Sequence, residues 1–365
     1  MHEIKPLTSL RGFAALAVVM QHFSAAAQSL TPNRIPSLVP HGYMAVDFFF
    51  VLSGFIMCLT YLSAFQAERI KAFPGFLLKR VARIVPLNVF VLLVLMVLGL
   101  ISRATIGSNM FFNDASLAFD LPANILMLQG LGIGTNLNGP SWSISTEFAA
   151  YFLFPLFIVF VFNKRRLVSA ATLFVAVAVL SADAFRAPGL HLENTTIGDQ
   201  VLYCFTEFVL GMGAYILYRS RRAGGRGASD LEVGLIFAAT ALFLVTGTDL
   251  IVALLCPFIV VSTALNRGFF ARVLSGGVPY FLGLVSFSIY LIHEPCRRLS
   301  VLLFTNIHPG VSGPVTALSF ALVGSLAVIP LAWLTYIGVE RPGRVLIRRW
   351  AETVTRRNAM ARTPG

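Results

Sequence analysis

Ten separate apolar runs, each near the roughly 20 residues that an α-helix needs to cross a ~30 Å hydrocarbon core, dominate this 365-residue chain. They fall at about 7–27, 42–63, 84–102, 148–163, 167–183, 201–219, 231–247, 250–266, 279–304 and 313–338. With 57% hydrophobic and 12% charged residues and a mean hydropathy of +0.79, the chain carries more apolar surface than a water-soluble core can hide. The fold class expected is therefore all-α: a polytopic membrane protein with about ten transmembrane helices. The connection 104–146 is rich in Asn, Gly, Asp and Ser, and its apolar piece at 121–131 is too short to cross, so it reads as re-entrant or interfacial.

Basic residues set the expected orientation. If the N-terminus is cytoplasmic, 22 of the 28 Lys and Arg lie in inner loops and tails, and only Arg34, Arg103 and Arg186 in outer loops. Both termini are then cytoplasmic, with one transmembrane domain over 1–342 and a basic cytoplasmic tail over 343–365. The net charge of +12 sits in short clusters between apolar runs, the distribution of a membrane protein and not of a nucleic-acid binder. Cys58, Cys204, Cys256 and Cys296 are isolated in apolar stretches, without the spacing of a disulfide framework or a metal site, and no metal is expected. A secretory signal peptide is a rival reading of the first 27 residues. Arg11 inside the run and Gln21-His22 at its end are poor for that role.

Ionisable groups are costly inside a membrane, so each one is a functional candidate. Counting ~1.5 Å per residue from the expected span ends brings His22, Asp47, Glu207 and His293 to one level, about 21–22 Å from the inner face, with Glu147 close to that layer. Arg11 and His22 are eleven residues apart, about three full turns, so they share a helix face some 16 Å apart along the axis. A pantetheine arm is of that length. A carrier nucleotide held at the cytoplasmic side would then present its thioester near His22.

These residues lie in blocks that resemble the acyltransferase 3 family of integral-membrane acyltransferases. The blocks are Arg11 with His22, Gly42-Tyr43-Met44-Ala45-Val46-Asp47-Phe48-Phe49-Phe50-Val51-Leu52-Ser53-Gly54-Phe55, the basic loop motif Arg80-Val81-Ala82-Arg83-Ile84-Val85-Pro86, Ser141-Trp142-Ser143-Ile144-Ser145-Thr146-Glu147, Glu207 with Gly211, and Ser286-Phe287-Ser288-Ile289-Tyr290-Leu291-Ile292-His293. Order and spacing hold over about 5–342. Ala149-Ala150 depart from the pattern by standing where many members carry a polar residue. No esterase-like domain follows, which implies delivery to the acceptor without a fused partner domain.

The resemblance implies transfer of an acyl group, commonly acetyl, from cytoplasmic acyl-CoA to a hydroxyl of a carbohydrate or lipid-linked sugar, in the inner membrane of a bacterium. The expected partners are the lipid bilayer, acyl-CoA as donor and the sugar acceptor, with no nucleic acid; a homodimer is open. His22 is the candidate general base, since an imidazole titrates near working pH, and Asp47 is expected to orient it. The blander reading of His22 is a buried ring bonded to a backbone carbonyl. His293 is expected to contact the acceptor or the developing oxyanion, and Glu147 with Trp142 to form the acceptor lip. Arg11, Arg80, Arg83 and Lys79 are the candidates for holding the coenzyme's phosphates, against plain topological anchoring. Ser53 fits packing better than a nucleophile's role. A transporter or flippase would also use midplane carboxylates and histidines. No inverted repeat relates the two halves, and turnover of acetyl-CoA separates the readings.

Overall fold

A computed structural model describes residues 3–29, 39, 41–109, 111–112, 116–186, 196–307 and 313–360, the side chains of 183–186, 352 and 354–360 excepted. Arg34 and Arg362 lie outside the described residues. Among those described, the chain is helical and contains no β-strand. It runs through α1 (Lys5–Ser29), α2 (Met44–Glu68), α3 (Phe73–Ile106), α4 (Leu117–Ile125), α5 (Ser141–Val161), α6 (Arg166–Arg186), α7 (Ile197–Ala223), α8 (Asp230–Thr246), α9 (Asp249–Leu265), α10 (Phe269–Leu274), α11 (Gly277–Ile307), α12 (Pro314–Thr335) and α13 (Arg341–Met360). A π-helical turn, Tyr336–Glu340, joins the last two.

A helix covers each of the ten apolar runs. α1, the stretch Met44–Ile106, α5, α7 and the stretch Pro314–Ala351 are long and apolar enough to cross a membrane, and the apolar helices Arg166–Ala182 and α9 are shorter. Rows of large apolar side chains stay exposed on the outer faces, among them Leu93, Val97 and Leu100 on α3, Phe152, Leu156 and Val159 on α5, and Val323 and Leu326 on α12. Continuous apolar faces of this extent belong in lipid.

Two boundaries differ from expectation. Residues 79–86 are helical and not a loop, because α3 begins at Phe73 with Pro74 in its first turn and carries Pro86 inside it. A proline in the first turn gives up a donor that has no partner there anyway, and an interior proline is tolerated where packing supports the freed carbonyl. α5 likewise begins at Ser141, so Glu147 stands six residues inside a helix and not at its outer end. The basic tail is helical through Met360.

Close backbone approaches fix two helix pairs. On α1 and α11, a Cβ at Gly12 would collide with Leu282 and Gly283, and one at Gly283 with the Thr8 carbonyl. On α2 and α7, a Cβ at Gly54 would strike the Phe208 carbonyl, and one at Gly211 the Val51 carbonyl. Small residues at such crossings let backbones pack directly in the absence of a hydrophobic drive between helices. Contacts further along give the direction: Lys5 meets Tyr280 and His22 meets His293 on the first pair, and Asp47 meets Glu207 and Phe55 meets Tyr218 on the second, so the numbers rise together and each pair runs parallel.

α1, α11 and α12 share one core, built on Ala15, Val19, Phe23, Ile289 and Ala321. A second, aromatic core joins α2, α3, α5 and α7 through Phe65, Phe76, Phe154 and Phe208. Phe65 meets Phe154 edge-on at 5.4 Å between centroids, the geometry that aromatic quadrupoles prefer. The cavities lie between these two groups of helices.

Candidate active site

α1 carries Arg11 and His22, α11 carries His293, and the glycine crossing holds these two helices in register. Gly12 to His22 and Gly283 to His293 are each ten residues, so a parallel pair clasped at the glycines brings the two imidazoles to one level. There His22 Nδ1 and His293 Nε2 are 2.7 Å apart, and the rings stack with centroids at 5.0 Å. The donor in this hydrogen bond is set by the tautomers. His293 is fully buried.

The next residue, Glu294, is also buried. Its carboxylate accepts two hydrogen bonds from Arg297, at 2.9 and 2.8 Å, and one from Arg298 at 2.7 Å. This i,i+3/i+4 spacing is legible in the sequence and is the signal by which Glu294, absent from the sequence-based candidates, could have been found. Donor atoms of His22, His293 and Glu294 lie within 4.8 Å of one another, close enough for a cation, but two guanidiniums already occupy the carboxylate.

Asp47 is placed elsewhere. Its buried carboxyl faces that of Glu207, one helix pair away, in the parallel α2–α7 packing. These four groups sort into a His22–His293 pair and an Asp47–Glu207 pair. The ring that meets His22 Nδ1 is therefore His293, in the position expected of Asp47.

Two cavities flank this centre. The first, about 800 Å³, is lined by Arg11, Arg80, Arg83, Ser53, Glu147 and Tyr151. Tyr151 donates to Glu147 Oε1 at 2.6 Å. The Tyr151 proton being committed, Ser53, 3.2 Å away, donates to Tyr151 and not to a base. Arg80 donates to the Tyr61 hydroxyl at 2.8 Å and lies over the Tyr61 and Tyr151 rings. Lys79 is exposed, does not line this cavity, and rests over Tyr61 at 5.5 Å. Glu147 thus lies with the arginines and apart from Trp142.

The second cavity, about 1460 Å³, is lined by His22, Trp142, Gln129, Asn136, Gln200 and Arg297, among others. Its wall from 120 to 140 is held by side-chain hydrogen bonds. Asp120 accepts from the Thr135 N–H at 2.7 Å, Asn124 from the Leu137 N–H at 3.1 Å, and Asn138 donates to the Leu291 carbonyl at 3.1 Å. Met127, Gly132 and Gly134 take positive φ in this segment, which lets it turn tightly. Val46 and Tyr290 line both cavities. The Tyr290 hydroxyl is 2.7 Å from Ser143 Oγ, and its ring meets His293 edge-on at 6.0 Å.

A family model described as an acyltransferase domain matches residues 5–337. The chain belongs to the acyltransferase 3 family. It is similar to Acyltransferase MdmB of Streptomyces mycarofaciens, with 29% identity over 95% of this chain and 93% of that protein. It is also similar to Peptidoglycan O-acetyltransferase OatA of Listeria monocytogenes and O-acetyltransferase OatA of Staphylococcus aureus, each 21% identical over 93% of this chain. The chain spans 56% and 57% of the length of those two. No solved structure matches it.

Proposed function

We propose that this acyltransferase is a membrane O-acyltransferase that takes an acyl group, acetyl in the first instance, from cytoplasmic acyl-CoA. It passes the group to a hydroxyl of a carbohydrate or related acceptor in the second cavity. The observation that carries the reading is the meeting of two unlike cavities at one wall, guanidinium-lined on one side, with His22, amides and Trp142 on the other. Guanidiniums suit phosphates, whereas amides and an aromatic face suit a sugar. Two of the relatives are named for O-acetyl transfer.

His22 takes the acceptor hydroxyl proton as its oxygen attacks the thioester carbonyl. The carbon–sulfur bond breaks, and the imidazolium returns the proton to the departing thiolate. His293 orients the His22 ring through the 2.7 Å hydrogen bond and shares the charge that forms there. In this reading all ten apolar runs cross the membrane with both termini cytoplasmic, inside a bacterial inner membrane. The parallel α1–α11 and α2–α7 pairs support it, because in a ten-span order the first and ninth spans run the same way, as do the second and sixth.

The test is acyl transfer from acetyl-CoA by the purified full-length chain. His22→Ala is expected to lower the rate by about 10²–10⁴ while leaving coenzyme A affinity near that of the parent. His293→Ala lowers it too, and the double variant is little worse than His22→Ala, since the pair acts as a unit. Near-normal transfer by folded His22→Ala protein would end the proposed chemistry.

A further inference from the structure

Arg344 lies beyond the region matched by the family model, on the first turn of α13, yet two contacts hold it near the arginines of the first cavity. The π-helical turn Tyr336–Glu340 ends on Glu340, whose buried carboxylate accepts from Ser288 Oγ at 2.5 Å and pairs with Arg344. The neighbouring Gly343 backbone presses on Pro86, one turn beyond Arg83 on α3. Ser288 adjoins Ser286 and Phe287, which line the first cavity. Arg344 consequently stands within electrostatic reach of Arg83 and Arg11, and Arg80 acts on both of those.

Four guanidiniums gathered in this way repel one another, and the two carboxylates among them, Glu147 and Glu340, leave an excess of positive charge. The nitrogens Arg80 Nε and Arg344 Nε are both buried and have no hydrogen-bond acceptor. A buried charged donor without an acceptor is costly, and one oxyanion with several oxygens would satisfy both the charge and the donors.

We propose that Arg344 is a phosphate ligand, forming with Arg11, Arg80 and Arg83 one anion site for the phosphoryl groups of the donor. Glu340 is its positioning residue, presenting the guanidinium towards Arg83. The proposal rests on the acyl-CoA reading of the cavity for its ligand, but the anion site can be tested without it.

The experiment measures binding of coenzyme A, and separately of inorganic pyrophosphate, to the full chain in detergent at fixed ionic strength. Arg344→Gln is expected to weaken coenzyme A by roughly tenfold or more, the effect of one charge-assisted contact, with transfer at saturating donor largely kept. Arg349→Gln, at an exposed position on the same helix, should leave the affinity unchanged. Should Arg344→Gln fail to fold because Glu340 is left unpaired, the double variant Arg344→Gln/Glu340→Gln removes both charges together and is expected to show the same loss. Unchanged coenzyme A affinity in a folded variant overturns the proposal. If the parent binds pyrophosphate but not coenzyme A, and Arg344→Gln abolishes that binding, the anion site stands and the acyl-CoA reading falls. Binding of neither probe overturns both.

Discussion

Asp230, the residue preceding the apolar run of α8, accepts from the backbone N–H of Phe269 at 2.8 Å, from Asn266 Nδ2 at 3.0 Å and from the N–H of Phe270 at 3.2 Å. The Phe269 N–H above all, then Asn266 and Phe270, hold its carboxyl below the usual carboxylate range. A lowered pKa means that the group stabilises the fold above its unfolded value of about 3.9, and that this contribution is lost as pH falls through the folded value. Thermal unfolding in detergent should therefore lose more stability below about pH 4 in the parent than in Asp230→Ala, which lacks the contribution at neutral pH too. Equal pH dependence of the two proteins would remove Asp230 from this role. At this scale the sequence carries spacing but not direction. A fixed rise per residue brought His22 and Asp47 to one level, but whether their side chains meet depends on how each helix is rotated and which helix is its neighbour. Arg344 escaped notice for a different reason: in a run of tail arginines, charge alone does not distinguish the one that a buried Glu340 recruits.

Helix pairs transmit that directional information, and their weak points are glycines. A Cβ at Gly283 would meet the Thr8 backbone, which cannot yield as a flexible side chain does. Gly283→Ala should cost about 1–3 kcal/mol, as overpacking of a tight interface does. It should also depress transfer by displacing α11 along α1, on which the spacing of His22 and His293 depends. Gly75→Ala is the matched control, since nothing lies within 4 Å of a Cβ there. Equal melting temperatures for the two variants would show that the crossing is slack. Such clasps were partly legible, because the equal ten-residue intervals from Gly12 to His22 and from Gly283 to His293 stand in the sequence. What hid the pairing was that small residues are also common in helices that cross nothing. The helical start of α3 was concealed by its own composition: Lys79, Arg80, Arg83 and Pro86 read as a loop, whereas the structure aims Arg80 and Arg83 into a cavity and leaves Lys79 exposed.

For the molecule as a whole, a single fusion reads the orientation. A cytoplasm-active reporter placed after Arg226, in the turn between α7 and α8, should be active, because the surrounding Arg219, Arg221 and Arg222 resist translocation. Signal from a periplasm-active reporter at the same point would invert the assignment of the donor side. The apolar runs were readable because lipid imposes a length and a composition on every crossing. The order in which helices pack carries no comparable signature. That packing leaves the two large walls of the second cavity on different parts of the chain: His22, Glu294 and Arg297 on the clasped α1–α11 pair, and Gln129, Asn136, Trp142 and Gln200 on the 129–142 segment and α7. Mutational drift can therefore reshape the amide and tryptophan wall without disturbing the distance between the imidazoles, and a directed-evolution library aimed at new acceptors has its natural boundaries there.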